Sequence, residues 1–203
     1  MLQNRVDPHG NIIKTPARGA WMGNRGIIHN KRNEIVRPFQ NKTWLTCRTE
    51  FKNRRLPVMA PNTYTKLFFL DEATAFSAGH RPCAYCRKED YQRFKSLWIK
   101  ANPMYKLDEN SRIGEIDAIL HEERIAGNKS KVTQTQALED LPDGAIVSHD
   151  NQSWLWKSGQ LYLWTPSGYQ PPLSPPYPAR VTVLTPASII RTFRAGYVPQ
   201  MAV

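Results

Sequence analysis

The alternation of apolar and polar residues divides the chain into an irregular start, a helical centre and a strand-rich second half. Residues 42–51, KTWLTCRTEF, alternate and predict a strand in which Trp44 and Cys47 fall on opposite faces. Residues 64–70, YTKLFFL, predict a second strand. Residues 1–25 are rich in Gly, Pro and Asn, which predicts irregular structure.

Three helices are predicted in the centre of the chain. Asp71 is a typical N-cap for a helix over 72–78, and Gly79 is a typical residue just past a helix end. Residues 88–101 carry aromatic side chains at i, i+3 and i+7, which forms one apolar helix face. Residues 113–125 predict the third helix.

The second half reads as an antiparallel meander followed by a strand and a helix. Residues 144–166 contain three apolar runs separated by the turn pairs Asp150-Asn151 and Ser158-Gly159. The Pro-rich segment 167–180 excludes helix and favours a polyproline conformation. Thr185 is expected to cap the last helix, with Pro186 at its first position.

These elements predict an α+β protein with a small zinc module of hairpins and helices, followed by the antiparallel meander with flanking helices. The expected division is a basic zinc-binding region at residues 1–105 and a meander region at residues 106–203, packed on the first. A chain of 203 residues is long enough to bury a sizeable core.

Charge is distributed very unevenly along the chain. The formal net charge is +11. Residues 1–100 hold 19 Lys and Arg against 7 Asp and Glu, whereas residues 101–203 hold 9 against 10. More than half of the cations in the first half are Arg, which suits phosphate geometry better than Lys. The pattern favours a polyanionic partner over a basic surface kept only for solubility.

Composition also favours a cytoplasmic protein with reduced thiols. No apolar run approaches the length of a membrane span, so no membrane partner is expected, and the first residues lack the apolar segment of a signal peptide. Three cysteines in a chain of this length do not indicate a disulfide framework. The pattern does not indicate an oligomeric state.

The strongest chemical signal is Cys83-x-x-Cys86, set just before the predicted helix at 88–101. A turn with this spacing is how zinc knuckles present two thiolates to one ion. A redox pair would follow a strand in a βαβ pattern, and two buried thiols are the third alternative. Cys47 is the remaining cysteine, and zinc prefers four ligands.

Residues 70–86, LDEATAFSAGHRPCAYC, resemble the second half of the metal-binding domain of the Ada family of bacterial adaptive-response DNA repair proteins. The upstream segment 46–51, TCRTEF, resembles the Cys-Arg-x-x-Cys element of that family, and the resemblance extends over about residues 42–98. It implies Zn²⁺ bound by Cys47, Cys83 and Cys86, with Cys47 as an acceptor of a methyl group from a DNA phosphotriester. Phe51 stands where the family has its fourth cysteine.

A neutral imidazole is the usual substitute for a missing thiolate. His29 is the first candidate, because its segment could pair with the strand of Cys47; His121 and His80 follow. A water molecule in that position would instead leave an open, catalytic type of zinc site.

Catalytic alternatives rest on three further side chains. Asp117 and His121 are four residues apart on one predicted helix and could form an acid/base pair, or belong to a solvated face. Glu50 lies beside the predicted metal strand and could act as a general base, or pair with neighbouring Arg residues.

The sequence therefore predicts a zinc-containing protein that binds nucleic acid, most readily DNA, in repair or in genome or phage defence. The alternatives are an enzyme acting on DNA (a hydrolase, nuclease or glycosylase, or the methyl acceptor) and a zinc-stapled scaffold for protein interactions. The expected phosphate contacts are basic residues near the cysteines: Arg48, Arg54, Arg55, Arg81, Arg87 and Lys88.

Overall fold

A computed structural model describes residues 1–52 and 57–203. The described residues form an α+β fold with two sheets of six strands each, one mixed and one antiparallel, and four α-helices. The α+β class predicted from the sequence is confirmed. Among the described residues, no helix has both the length and the apolar character needed to cross a membrane.

The first sheet contains strands from the first 82 residues, in the order β2-β1-β5-β3-β4-β6. Its strands are β1 (Gln3–Val6), β2 (Ile12–Lys14), β3 (Trp21–Asn24), β4 (Leu45–Arg48), β5 (Leu67–Phe69) and β6 (Arg81–Pro82). The pairs β1–β5 and β4–β6 are parallel, and the other neighbours are antiparallel. Three of these strands lie within residues 1–25, so the prediction of irregular structure there is wrong.

The second sheet is antiparallel, in the order β11-β10-β9-β8-β12-β7. Its strands are β7 (Gln134–Ala137), β8 (Ile146–His149), β9 (Gln152–Lys157), β10 (Gln160–Thr165), β11 (Gly168–Pro172) and β12 (Arg180–Val183). Strands β8, β9 and β10 are the predicted meander, and both predicted turn pairs adopt positive φ. β11 lies in the Pro-rich segment, where no strand is predicted.

The four helices begin and end close to the predicted limits. They are α1 (Glu72–Ser77), α2 (Lys88–Ala101), α3 (Ile113–Arg124) and α4 (Ala187–Arg194). Asp71 caps α1, as predicted, by accepting a hydrogen bond of 2.8 Å from the Thr74 N–H. Thr185 does not cap α4; its hydroxyl accepts a bond from the Ile146 N–H, and Pro186 takes the cap position.

Helix α1 is buried at every position, because its sequence EATAFS is mostly small residues. Ala75 packs in the cluster beneath the first sheet, and Ala73 packs against Ile146 and Leu155 of the second sheet. Phe76 joins a third cluster, formed by α2, α3 and α4. The small side chains thus let one short helix bring both sheets and the other helices together.

The helical cluster spans the boundary predicted at residues 105 and 106. It contains Phe94 and Trp98 from α2 together with Leu120 from α3 and Phe193 from α4. A further cluster under the second sheet holds Trp154 and Trp156, so both rings belong to the core. The division into two domains stays a prediction.

Candidate metal centre

The short parallel pairing of β4 with β6 brings the cysteines together. Cys47 is the third residue of β4, and Cys83 directly follows β6. The Cys83 N–H donates a 3.0 Å hydrogen bond to the Thr46 carbonyl, which fixes the two cysteines side by side. Cys86 follows in the turn before α2. Three residues separated by up to 39 positions in sequence therefore meet at one sheet edge.

The three cysteines can hold one metal ion. Their Sγ atoms all lie within 4.8 Å of one another. Tetrahedral zinc with bonds of about 2.3 Å separates its sulfur ligands by about 3.8 Å, so only small side-chain movements are needed. Cys47 and Cys86 are 9% and 8% exposed, and Cys83 is partly exposed. The predicted group of three cysteine ligands is thus compatible with the structure.

The thiols are coupled through their protons. The pKa of Cys83 lies far below its usual range because the thiols of Cys47 and Cys86 donate hydrogen bonds to its sulfur. The pKa of Cys47 is correspondingly raised by donation to Cys83 and Cys86 and by burial. Cys83 is therefore the cysteine most readily ionised, and a divalent ion bound by all three sulfurs would displace the protons of Cys47 and Cys86.

The turn around Cys83 supports a thiolate through backbone donors. The Tyr85 N–H donates to the Cys83 sulfur at 3.4 Å, and the Arg87 N–H donates to the Cys83 carbonyl at 3.0 Å. Helix α2 begins at Lys88, so its N-terminal dipole also lies near the sulfurs. The local arrangement is the one predicted from the Cys-x-x-Cys spacing.

All three cysteines line one surface cavity of about 250 Å³. Phe51 also lines it, so the position where the resemblance expects a fourth cysteine lies at the site. The Phe51 and Tyr85 rings pack edge to face at 5.3 Å, and the Lys52 ammonium lies 5.3 Å from the Tyr85 ring centroid. The sequence prediction missed Met22, Asn24, Tyr64 and Lys66 in this lining, because only the sheet pairing places them there.

The predicted fourth ligand, His29, does not join the cysteine group. Its Nδ1 lies 2.6 Å from the Thr65 hydroxyl. His29 is not among the residues that line the cysteine cavity. The segment of His29 was expected to pair with the strand of Cys47, but the neighbour of β4 is β3. Among the described residues, no fourth His, Cys, Asp or Glu completes the group.

The other two histidines lie against Trp44, on the opposite face of β4 from Cys47. The His80 ring is 5.1 Å from the Trp44 ring and fully buried, and its Nε2 accepts a hydrogen bond from Arg25. The His121 ring packs on Phe39 at 4.9 Å. Both rings therefore belong to an aromatic cluster and lie apart from the sulfurs.

His80 should make the protein sensitive to acid. Its pKa is lowered well below 6.5, first by burial and then by the charges of Arg25 and Arg124. The unfolded chain then binds a proton that the folded chain excludes, so stability is lost as pH falls below about 6.5, by up to about 1.4 kcal/mol per pH unit. We expect His80→Gln to reduce this loss in urea unfolding at pH 7.5 and 5.5. His149→Gln, at a more exposed site, is the control, and an unchanged pH slope in His80→Gln would contradict the assignment.

Two of the predicted catalytic side chains, Asp117 and His121, occupy structural positions, whereas Glu50 does not. Asp117 is 2% exposed and forms a two-pronged ion pair with Arg81, at 2.7 Å for each contact. The Thr43 hydroxyl also donates to Asp117. His121 contacts Arg124 through Nδ1 at 3.0 Å rather than Asp117. Glu50 is exposed in the bend after β4, between Thr49 and Phe51, which line the cysteine cavity.

The predicted phosphate contacts divide into surface and interior residues. Arg48 and Lys88 are exposed beside the cysteine group. Arg81 and Arg87 are buried, and each is held by a carboxylate: Asp117 for Arg81, and Glu72 for Arg87. A surface polyanion does not reach those two side chains. Arg54 and Arg55 lie outside the described residues.

Comparison of the chain with protein-family models, with curated proteins and with solved structures finds no match. The resemblance to the Ada metal-binding domain therefore stays an expectation that rests on the motif alone.

Proposed function

We propose that the protein is a zinc-dependent nucleic-acid-binding protein, with DNA as the first candidate partner. The observation that carries the proposal is the position of the cysteine group on a cavity with basic and aromatic residues around it. Arg48, Lys66, Phe51 and Tyr85 all line that cavity. Cations that meet phosphates and rings that stack on bases are the two components of single-strand binding surfaces.

Zinc is the metal proposed for Cys47, Cys83 and Cys86. Thiolates are soft ligands and select zinc over magnesium, calcium or manganese. The ion would tie β4 to the turn before α2, and so hold Phe51 and Tyr85 at the cavity. Since the described residues supply no fourth ligand, water or a bound molecule would complete the coordination.

Affinity for nucleic acid should fall steeply with salt. Each phosphate contact releases counterions, so log K is expected to fall linearly with log salt, and Arg48→Glu/Lys52→Glu should weaken binding to all sequences alike by at least about tenfold. Fluorescence anisotropy with single-stranded and duplex DNA and with RNA measures this. The control is Arg180→Glu, the same kind of charge reversal at an exposed position of β12.

Two outcomes would contradict the proposal. No binding to any of the three nucleic acids at about 50 mM salt, where phosphate contacts are strong, would remove it and leave the scaffold alternative. Equal weakening by Arg180→Glu would show that overall charge, rather than the cysteine cavity, attracts the polyanion.

Roles in repair or genome defence rest only on the motif resemblance.

An enzymatic version of the proposal is favoured by one observation, the incomplete ligand set at a cavity open to solvent. A metal with an exchangeable position can activate water. Multiple-turnover cleavage of DNA that is abolished in Glu50→Gln with the metal retained would support a hydrolase. A mass increase of one methyl group on Cys47 after exposure to methylated DNA would support the acceptor role.

A further inference from the structure

A second and larger cavity, of about 660 Å³, is lined by Trp44, the residue just before β4. Its lining comes from β1, the β1–β2 turn, the chain between β3 and β4, the end of α1, the end of α3 and the loop that follows α3. It shares no lining residue with the cysteine cavity. The two cavities are therefore separate sites.

The cavity is strongly basic. Its lining includes five cations: Arg25, Arg37, Arg124, Lys129 and Lys131. No Asp or Glu occurs among the described residues that line it. The carboxylates that act on these cations lie outside the lining. Asp7, which accepts hydrogen bonds from Asn11, acts on Arg25 and Lys131, and Asp117 acts on Arg124. An anion entering this space would meet several donors and no like charge on the wall.

Two of these cations are buried without a carboxylate partner. Arg25 is 1% exposed; its Nε and Nη1 donate to His80 and the Gly10 carbonyl, whereas its Nη2 has no partner. Arg124 is 3% exposed; its Nη1 and Nη2 donate to the carbonyls of Gly79 and Lys42, whereas its Nε has no partner. The other described buried arginines, Arg81 and Arg87, are both in ion pairs.

The guanidinium groups are held firmly in place. The Cζ atoms of Arg25 and Arg124 each lie 3.9 Å from the centroid of the Trp44 ring, so the two cations share one aromatic partner. Gly79 has φ +85°, and a Cβ there would approach the Arg124 Cδ to 2.4 Å. The chain therefore keeps space for the Arg124 side chain. The fixed position of these two guanidinium groups contrasts with the solvated side chains of ordinary surface Lys and Arg residues.

Burying unpaired cations costs free energy, which a bound anion would offset. Burial lowers the pKa of both guanidinium groups. Burial, with the charge of Arg25, also lowers the pKa of Lys131 to about 7. These shifts agree with a set of cations that lacks its counter-charge.

We infer that this cavity binds a phosphate monoester of nucleotide size, with the phosphate between Arg25, Arg124 and Lys131. Planar guanidinium donors match phosphate oxygens, and several cations suit a dianion better than a monocarboxylate. The volume falls within the range of small-ligand sites and exceeds that of a phosphate ion alone. Ile12, Ile35, Val36 and Pro38 supply an apolar wall for the organic part.

The phosphate monoester has two sources with the same chemistry, a free small molecule and the 5′-phosphate end of a nucleic-acid strand. The probes are uridine 5′-monophosphate with uridine as its control, and a 5′-phosphorylated oligonucleotide with its 5′-hydroxyl counterpart, at constant ionic strength. At a hundredfold excess over Kd, a ligand should raise the melting temperature by about 5–10 °C. We expect a shift only with probes that carry the terminal phosphate.

Variants locate the site. Lys131→Met and Arg25→Lys should each weaken phosphate binding at least tenfold by calorimetry, the second because lysine keeps the charge but loses the guanidinium fork. Lys100→Met, at an exposed position in α2, is the matched control and should bind as the wild type does. Lys131 is less buried than Arg25, and its Nζ donates to the Ser77 carbonyl at 2.6 Å, so its variant stays informative where Arg25→Lys destabilises the fold.

The outcomes are distinct. A shift with the mononucleotide supports a small-molecule ligand, and a shift with the phosphorylated oligonucleotide alone supports a strand end. The absence of any shift with folded wild-type protein overturns the inference. A shift that persists unchanged in Lys131→Met also overturns it, because the phosphate then binds elsewhere.

Discussion

Replacement of Cys83 by alanine is expected to release the metal and lower the melting temperature by at least about 10 °C. At structural thiolate sites, the free energy of metal binding adds directly to the free energy of folding. Loss of one of three ligands therefore removes several kcal/mol of stability. In a chain of about this length, each kcal/mol corresponds to about 2–4 °C. The measurements are elemental analysis of the purified protein for bound metal and a thermal unfolding curve.

The matched control for this variant is Ala84→Ser. Ala84 is exposed within the same turn, so the change should leave metal content and melting temperature as they are in the wild type. A fully metal-free wild-type protein that melts at the temperature of the metal-loaded protein would refute a structural role for the ion. Metal retained at one equivalent in Cys83→Ala would remove Cys83 from the ligand set.

The second large effect is expected at Asp117. Removal of one partner of a buried ion pair leaves the other charge uncompensated, which costs about 3–5 kcal/mol. In Asp117→Ala the buried Arg81 would lose both of its 2.7 Å contacts, and Arg81 lies only two residues before Cys83. Urea unfolding should therefore show this loss in stability, together with weaker metal retention.

Glu122→Ala is the control on the same helix. Glu122 is exposed, so its replacement should change stability by less than about 0.5 kcal/mol. If Asp117→Ala were as stable as this control, the Arg81–Asp117 pair would not be a determinant of the fold. If Asp117→Ala instead kept its stability but abolished an activity on DNA, the acid/base alternative for Asp117 would regain support.

Elements with strong local signals could be predicted from the sequence. Helix α2 has the predicted limits, because its apolar face repeats with helical spacing. The meander was predictable because turn residues separate its apolar runs. Strand β3 was missed because it contains Gly23, which reads as a strand breaker. A Cβ at Gly23 would lie 2.3 Å from the Phe69 ring, so glycine is there to let β5 pack closely.

The two candidate sites also differ in how far the sequence alone predicts them. The cysteine site has a clear local signal, because Cys83 and Cys86 are three residues apart. Only Cys47 had to be assigned to it from a distant part of the sequence. The cationic cavity leaves no local signal, because Arg25, Arg124 and Lys131 are far apart in sequence and resemble ordinary surface residues there. Only the fold shows that Arg25 and Arg124 are buried. From the number of charges alone, the excess of cations was predicted to lie on the outer surface.

The parallel pairing of β4 with β6 also bears on the order of folding. Cys47 and Cys83 are the ends of a loop of more than thirty residues that contains β5 and α1. Closing so long a loop costs chain entropy before any contact rewards it, and non-local pairings of this kind form slowly. We therefore expect the sulfurs to meet after α1 has packed between the sheets. Metal capture is then a late step, which stabilises a chain topology already formed.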